Sequence, residues 1–537
     1  MADYVLVGGT VVDGTGGQPF PATVAIQNGR ISELGQPGRQ VPVGPQLDVT
    51  GLVIAPGFID MHAHSDLAVI NDPLHTAKVW QGVTLEVVGQ DGLSYAPVTD
   101  NTLERLVVQL AAWNGTPEHE PAWRTVGEYL SKVDEGSPVN VAYLVPHGSV
   151  RLAVLGAEDR PAGEGELAQM TELVREGLEQ GAMGLSAGLT YTPAMYADDD
   201  ELVALCAPVR AAGGYYCPHH RNYGAQVVEG YADCIKIARQ AGVALHLAHC
   251  HVSYRQNAGR AHEVLELIDA ARANAELDVT LDSYPYVVSA TYLASVLPSW
   301  STAGGPEQTR VRLSDPNERR RVLYDLEVKG SHGNHGIPID WSIISISGVS
   351  DANLEWAVGK SIAELSREQQ RPAGDVFFDL LGSDPFGVGC LFHAGNEDNV
   401  RTIMRHPVHM AGSDGLLFGA KPHPRAWGTF ARYLGTYVRE LELFTLEECV
   451  AHLTSRPARR LGLRDRGVIR VGAAADLVAF DPMTVDATAT YENPRSQPIG
   501  IEHVLVNGEF TLRDRRRTDR LPGRAVRRGA EAARQTL

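Results

Sequence analysis

Two histidines flank a single alanine in GFIDMHAHSD, residues 57–66. In an extended chain successive side chains alternate, so His62 and His64 share one face and Ala63 takes the other. Imidazole is the commonest metal ligand, which makes the pair a candidate half-site. Its plain alternative is two hydrogen-bonded or solvent-facing residues at a strand end. Ligand-type residues also follow other apolar runs: Asp91 after TLEVVGQ, His219-His220-Arg221 after GGYYCP, His249 and His251 after VALHLA, and Asp414 after HPVHMAGS.

Each of these has a structural alternative. Asp91 in GQDG suits a turn with Asx-type hydrogen bonding. His219 and His220 adjoin, so one of them at most points into a shared site. Among the crowded His246, His249 and His251 some are candidates for satisfied core residues, and Asp414 in AGSDG would serve as a helix N-cap. Their common placement at the ends of apolar runs nevertheless favours one metal site. Imidazoles with a carboxylate suit Zn²⁺, one ion or two, with Mn²⁺ or Fe²⁺ as substitutes. Such an ion activates water and polarises a carbonyl. An aspartate beside it, with Asp414 the natural candidate, carries the proton to a leaving amine. That chemistry is hydrolysis of a C–N bond.

Something must bring these residues together. Short β-branched runs (VTLEVVG, VNVAYLVPHG, VALHLAH, DVTLDSYPY) alternate with helical stretches such as ELAQMTELVREGLEQGA and GRAHEVLELIDAARAN. Strands alternating with helices predict parallel βα units. No G-x-G-x-x-G follows a strand, so a dinucleotide-binding sheet lacks support. The expectation is an α/β protein with a (β/α)8, TIM-like barrel over residues 56–465, whose strand ends collect the reactive side chains. An insertion is expected at about 290–350, where SWSTAGGPEQ and VKGSHGNHGIP break the rhythm. Short strands with Asn-Gly turns, at Asn28-Gly29 and Asn507-Gly508, occur near both ends of the chain. They predict one small β-sandwich built from residues 1–55 and 466–511.

The 537 residues carry a formal charge of −18, which argues against a nucleic-acid partner. Residues 512–537 are the exception, with nine Arg against three acidic residues. Such a tail is expected to be solvated or weakly docked. Six cysteines without a C-x-x-C pair fit a reducing cytoplasm. No signal peptide is visible at the N-terminus and no run spans a membrane. The expected partner is a small amide, and a homo-oligomer stays open.

The chain resembles the amidohydrolase superfamily, and within it the D-aminoacylases (N-acyl-D-amino-acid deacylases). The matching stretches are APGFIDMHAHSD, QGVTLEVVGQDGLSYAPV, EQGAMGLSAGLTYTP, DSYPY, MRHPVHMAGSDG, PHPRAWGTFARYLGTYVRE and LTSRPARRLGLRDRGVIRVGAAADLVAFDP. The resemblance implies His62 and His64 on one metal, His219 and His249 on the other, Asp91 at the bridging position, and Asp414 as the catalytic acid/base. It also implies Arg425 and Tyr286 as groups that hold a substrate carboxylate. Tyr191 is a candidate for polarising the scissile carbonyl, with packing as its alternative.

Three departures stand out. The family's G-N-C-G is Gly89-Gln90-Asp91-Gly92 here, so a carboxylate replaces the bridging thiolate. The family lysine that contacts the substrate carboxylate is His251, and A-G-S-T has become Val288-Ser289-Ala290-Thr291. An imidazole lacks the permanent charge of lysine. GAMGLSAGLTYTP contains no lysine, against the hydantoinase branch with its carboxylated bridging lysine. The leading expectation is deacylation of an N-acyl-D-amino acid. A rival is a less anionic amide (cyclic amide, carbamate or xenobiotic), and a third is a non-catalytic binding scaffold.

Overall fold

The computed structural model describes residues 1–36, 42–117, 120–273, 277–382 and 385–529. Eight buried strand positions run in order: β1 (Phe58–Asp60), β2 (Val83–Val88), β3 (Asn140–Tyr143), β4 (Gly184–Gly188), β5 (Tyr215–His219), β6 (Ala244–Leu247), β7 (Val279–Ser283) and β8 (His409–Ala411). β3 resumes as Val145–Pro146, which pairs with β4. Every neighbouring pair from β1 to β8 is parallel. The ladder returns to its start, since Met61 N donates to Ala411 O at 3.2 Å and Ala63 bridges Gly415 in parallel. Strands buried on both faces need no polar alternation, which explains runs such as VTLEVV.

The connecting helices show the complementary pattern. Helix Glu164–Glu179 buries Met170, Val174, Gly177 and Leu178, one stripe at helical spacing. Thr125 and Glu128 form a capping box that starts Val126–Asp134, and Asp198 caps Asp199–Ala211 through Glu201 N.

Both chain ends contribute to two further sheets. One contains Arg30–Gly35, Thr23–Gln27, Tyr4–Val7 and Gln46–Asp48. The other joins C-terminal strands (Leu477–Phe480, Ile501–Val506, Glu509–Arg513 and Arg516–Arg517) to N-terminal Val53–Pro56, Thr10–Val11 and Phe20–Pro21. Leu6, Val24, Ile26, Ile54, Leu477 and Leu505 share one fully buried cluster between them. The Asn28-Gly29 and Asn507-Gly508 turns have positive φ at both residues (50° and 72°; 49° and 82°), the geometry that Asn-Gly favours in two-residue hairpins.

Two expectations are corrected. The excursion near residues 290–350 reaches further, because Ser289–Tyr292 and Ile344–Val349 both pair with Val388–Phe392 as the middle strand of an antiparallel sheet. The described part of the basic tail keeps Arg513, Arg515, Arg516, Arg520 and Arg524 exposed, yet it is firmly docked from Gly523 onward. Gly523 N donates to Ser137 O at 2.8 Å, Val526 N to Val141 O at 2.7 Å, and Arg527 pairs with Asp134 at 2.6 Å. Backbone pairing at the start of β3 holds the segment whatever its charge. Residues 530–537 lie outside the described residues. Among the described residues no helix is long and apolar enough to cross a membrane.

Candidate metal centre

All the ligand-type residues stand at the C-terminal ends of the parallel strands. His62 and His64 follow β1, Asp91 follows β2, His219 ends β5, His249 follows β6, and Asp414 follows β8. Asp91, His249 and Asp414 have positive φ (52°, 30° and 48°), so the chain turns sharply there. Residues held in this sparsely populated region cluster at functional sites.

Asp91 is the centre of the arrangement. Its Oδ1 lies 3.5 Å from His62 Nε2 and 3.3 Å from His249 Nε2; its Oδ2 lies 3.7 Å from His64 Nε2 and 3.5 Å from His219 Nδ1. Asp414 Oδ1 lies 3.2 Å from His64 Nε2 and 3.9 Å from His62 Nε2. Two ligand groups result: His62, His64, Asp91 and Asp414, and Asp91, His219 and His249. The donor atoms fit a divalent ion. His62 Nδ1 and Nε2 and Asp91 Oδ1 are buried without a hydrogen-bond partner, which is costly for groups with nothing to bind.

Electrostatics set the protonation. Burial would raise the Asp91 pKa, but His249, His62 and His219 pull it well below the usual carboxylate range. Burial likewise opposes ionisation of Asp414, and the Arg425 guanidinium with the surrounding histidines outweighs it. Both carboxylates are therefore ionised. The outer nitrogens of the ligands are engaged: Thr190 Oγ1 sits 2.7 Å from His219 Nε2, and Tyr223 Oη 3.1 Å from His249 Nδ1. Asp282 Oδ2, held by His246 Nε2 at 3.0 Å, faces His62 Nδ1 at 3.7 Å as an opposing charge rather than as a hydrogen-bond partner.

The structure separates the crowded histidines. His220 packs between the rings of Tyr223 and Tyr231, with centroids at 3.8 and 4.0 Å, away from the cavity. His246 is satisfied by Asp282 and by Thr280 Oγ1 at 2.8 Å. His251 lines the cavity, stacks on Tyr284 at 4.1 Å and leaves Nε2 unpartnered. Burial, His249 and Arg425 lower its pKa to about 3, so it is neutral.

Tyr191 also lines the cavity, its hydroxyl 3.0 Å from Thr291 Oγ1. Arg425 is fully buried; Nη2 lies 2.8 Å from Asp414 Oδ2, while Nε and Nη1 have no partner. Tyr286 is a correction. It packs against His423 (5.2 Å) and under Arg432 (4.9 Å), outside the cavity lining, whereas Tyr284 lines the cavity. The chain turns after β7, with Tyr286 N donating back to Tyr284 O at 3.0 Å, so the two tyrosines diverge. Tyr284 carries the Arg425 guanidinium over its ring at 4.3 Å. DSYPY held both tyrosines, and strand register alone did not choose between them.

Reading the sequence also missed Trp113, Thr190, Tyr223, Asp282 and His335. Thr190 and Asp282 carried a signal, one just past β4 and the other within β7. Trp113 and His335 reach the cavity from a helix and from the excursion after β7, and strand-end logic does not cover such segments.

A family model described as "Amidohydrolase family" matches residues 47–512. The chain is 34% identical to a D-aminoacylase of Alcaligenes xylosoxydans xylosoxydans over 98% of both chains. It is 35% identical to an N-acyl-D-glutamate deacylase of the same organism over 99% of this chain and 98% of that one. The crystal structure of N-acyl-D-glutamate deacylase from Bordetella bronchiseptica, complexed with zinc and a phosphonate mimic of the tetrahedral intermediate, superposes with a TM-score of 0.84. That pair is 32% identical, covering 98% of this chain and 99% of the other. The chain therefore belongs to the amidohydrolase family, as a metal-dependent hydrolase. Within that family it falls with the D-aminoacylases, which match it from end to end.

Proposed function

We propose that the protein hydrolyses the amide bond of N-acyl-D-amino acids in a zinc-dependent reaction, at the C-terminal face of a (β/α)8 barrel. The single observation that carries this is the placement of Asp91 among four imidazole nitrogens, within 3.3–3.7 Å of its oxygens. The returning parallel ladder supports the barrel, and the buried cluster shared by the terminal sheets supports a β-sandwich from residues 1–55 and 466–511. Six free, buried cysteines support a reducing, cytoplasmic setting.

Zinc held by His62, His64, Asp91 and Asp414 and by Asp91, His219 and His249 would polarise the scissile carbonyl and make water nucleophilic at neutral pH. The residues supply the rest. Ionised Asp414 accepts the proton of the attacking water at its carboxylate and returns it to the amine nitrogen as the C–N bond breaks. The Tyr191 phenol, its pKa raised by burial and Asp91, stays protonated and donates a hydrogen bond to the acyl oxygen. Arg425, with Nε and Nη1 free beside Tyr284, receives the substrate carboxylate. His251 adds an uncharged polar edge.

A second reading has its own support: His251 is neutral and Arg425 already faces Asp414, so a less anionic amide suits the cavity. Assaying N-acetyl-D- and L-amino acids beside their α-amides, with zinc content measured, separates the two. The first reading expects D-selective turnover that falls when the carboxylate is amidated. Equal turnover of acid and amide supports the second, and no turnover of either refutes both.

A further inference from the structure

Behind the metal centre lies a cluster of ionisable groups that the chemistry above does not use. Asp60, His75, Lys78 and Glu86 are all completely buried. Lys78 Nζ lies 2.6 Å from Asp60 Oδ2, 2.7 Å from Ser413 Oγ and 3.4 Å from Glu86 Oε2. Glu86 also holds His75 Nε2 at 2.5 Å and accepts from Ser65 Oγ at 2.7 Å. A buried ion cluster is weak evidence of added stability, because desolvation offsets the attraction. Its geometry suggests another use.

Asp60 ends β1 and Ser413 follows β8, so Lys78 joins the first strand to the last. Asp60 Oδ1 accepts from Ser413 N at 2.8 Å and from His62 N at 3.2 Å. Ser413 Oγ accepts from Gly415 N at 3.1 Å and donates to His62 O at 3.3 Å, while Asp414 N donates to the same carbonyl at 2.8 Å. Asp414 thus sits at φ 48° directly after Ser413, which is fastened to both Lys78 and Asp60, and its own N–H is held by His62 O. A non-glycine residue persists there only when its surroundings over-determine it.

We infer that Lys78 is a positioning residue: through Asp60 and Ser413 it holds Asp414 and His62 in mutual register, and so sets the carboxylate that faces the metal-ligand group. The inference rests on the reading of Asp414 as a metal-facing acid/base group, and it concerns a side chain that touches neither substrate nor ion.

The test compares Lys78→Met, Ser413→Ala, Asp414→Ala and the double variant Lys78→Met/Asp414→Ala. Cobalt(II) is added to chelator-stripped protein and its visible absorption followed, beside circular dichroism and turnover of N-acetyl-D-methionine. Both single changes remote from the ion should move the cobalt spectrum toward that of Asp414→Ala. They should also lower kcat about tenfold or more with KM within about threefold. The double variant should match Asp414→Ala alone, since residues acting through one another are not additive. Spectra of Lys78→Met and Ser413→Ala that coincide with wild type overturn the inference, as does further loss in the double variant. Where Lys78→Met does not fold, Ser413→Ala, which leaves every charge in place, decides. Wild-type protein that binds cobalt but hydrolyses no N-acyl-D-amino acid sinks the substrate reading alone, and the cobalt comparison still settles Lys78. Protein that takes up no cobalt overturns both.

Discussion

Asp91 stands between His62 and His249, with the same carboxylate oxygen 3.5 Å from one Nε2 and 3.3 Å from the other. Its second oxygen faces His64 and His219 in like fashion. One carboxylate thus serves both ligand groups. Asp91→Ala is expected to remove at least one equivalent of zinc, read by elemental analysis of purified protein. Asp91→Cys should keep both groups supplied but shift preference toward softer ions such as Cd²⁺, measured by competition with Mn²⁺. Unchanged stoichiometry in Asp91→Ala would reduce Asp91 to a turn residue.

Asp414→Asn keeps size and turn geometry but cannot carry a proton. Its kcat should fall by about 10²–10⁴, the usual worth of general acid–base catalysis, with the ion at Asp91, His219 and His249 retained. Wild-type turnover in this variant would remove Asp414 from the proton path.

Tyr284 and Tyr286 give a paired test of the corrected assignment. Tyr284→Leu removes the ring beneath Arg425 and beside His251, and should raise KM for an anionic substrate by about tenfold or more. Tyr286→Phe deletes a hydroxyl outside the cavity and should leave KM within about twofold. The reverse order of effects would restore Tyr286 to the substrate pocket.

Glu86 predicts a specific acid sensitivity. Burial raises its pKa, but His75 and Lys78 bring it from 4.5 down to about 2. A carboxylate whose folded pKa lies below its unfolded value stabilises the fold fully above pH 4.5. That contribution is lost as pH falls from there towards 2, on the order of 3 kcal/mol in all. Urea unfolding at a series of pH values should show this slope. Glu86→Gln should be less stable at neutral pH, where Lys78 loses a counter-charge, and should flatten the slope. An unchanged slope would mean Glu86 is not the group responsible.

Much of the site was legible along the chain because strand alternation and strand ends are local properties. His62 and His64 on one face, Asp91 after VTLEVVG, and Asp414 after HPVHMAGS all follow from where an apolar run stops. The Asn-Gly turns at 28–29 and 507–508 are local too, since only left-handed backbone fits a two-residue hairpin and Asn-Gly tolerates it.

What a sequence pattern could not decide is which way a side chain turns once the strand has ended. His220 went into an aromatic slot, His246 to Asp282, and Tyr286 away from the cavity that Tyr284 lines. Nothing along the chain marked Lys78, and only the meeting of β1 with β8 buried it against Asp60 and Ser413. The residue types and their order along the chain determined the chemistry on offer. The tertiary structure chose among them, because burial and partners come from residues hundreds of positions apart, and those contacts exist only when the parallel ladder returns to its first strand.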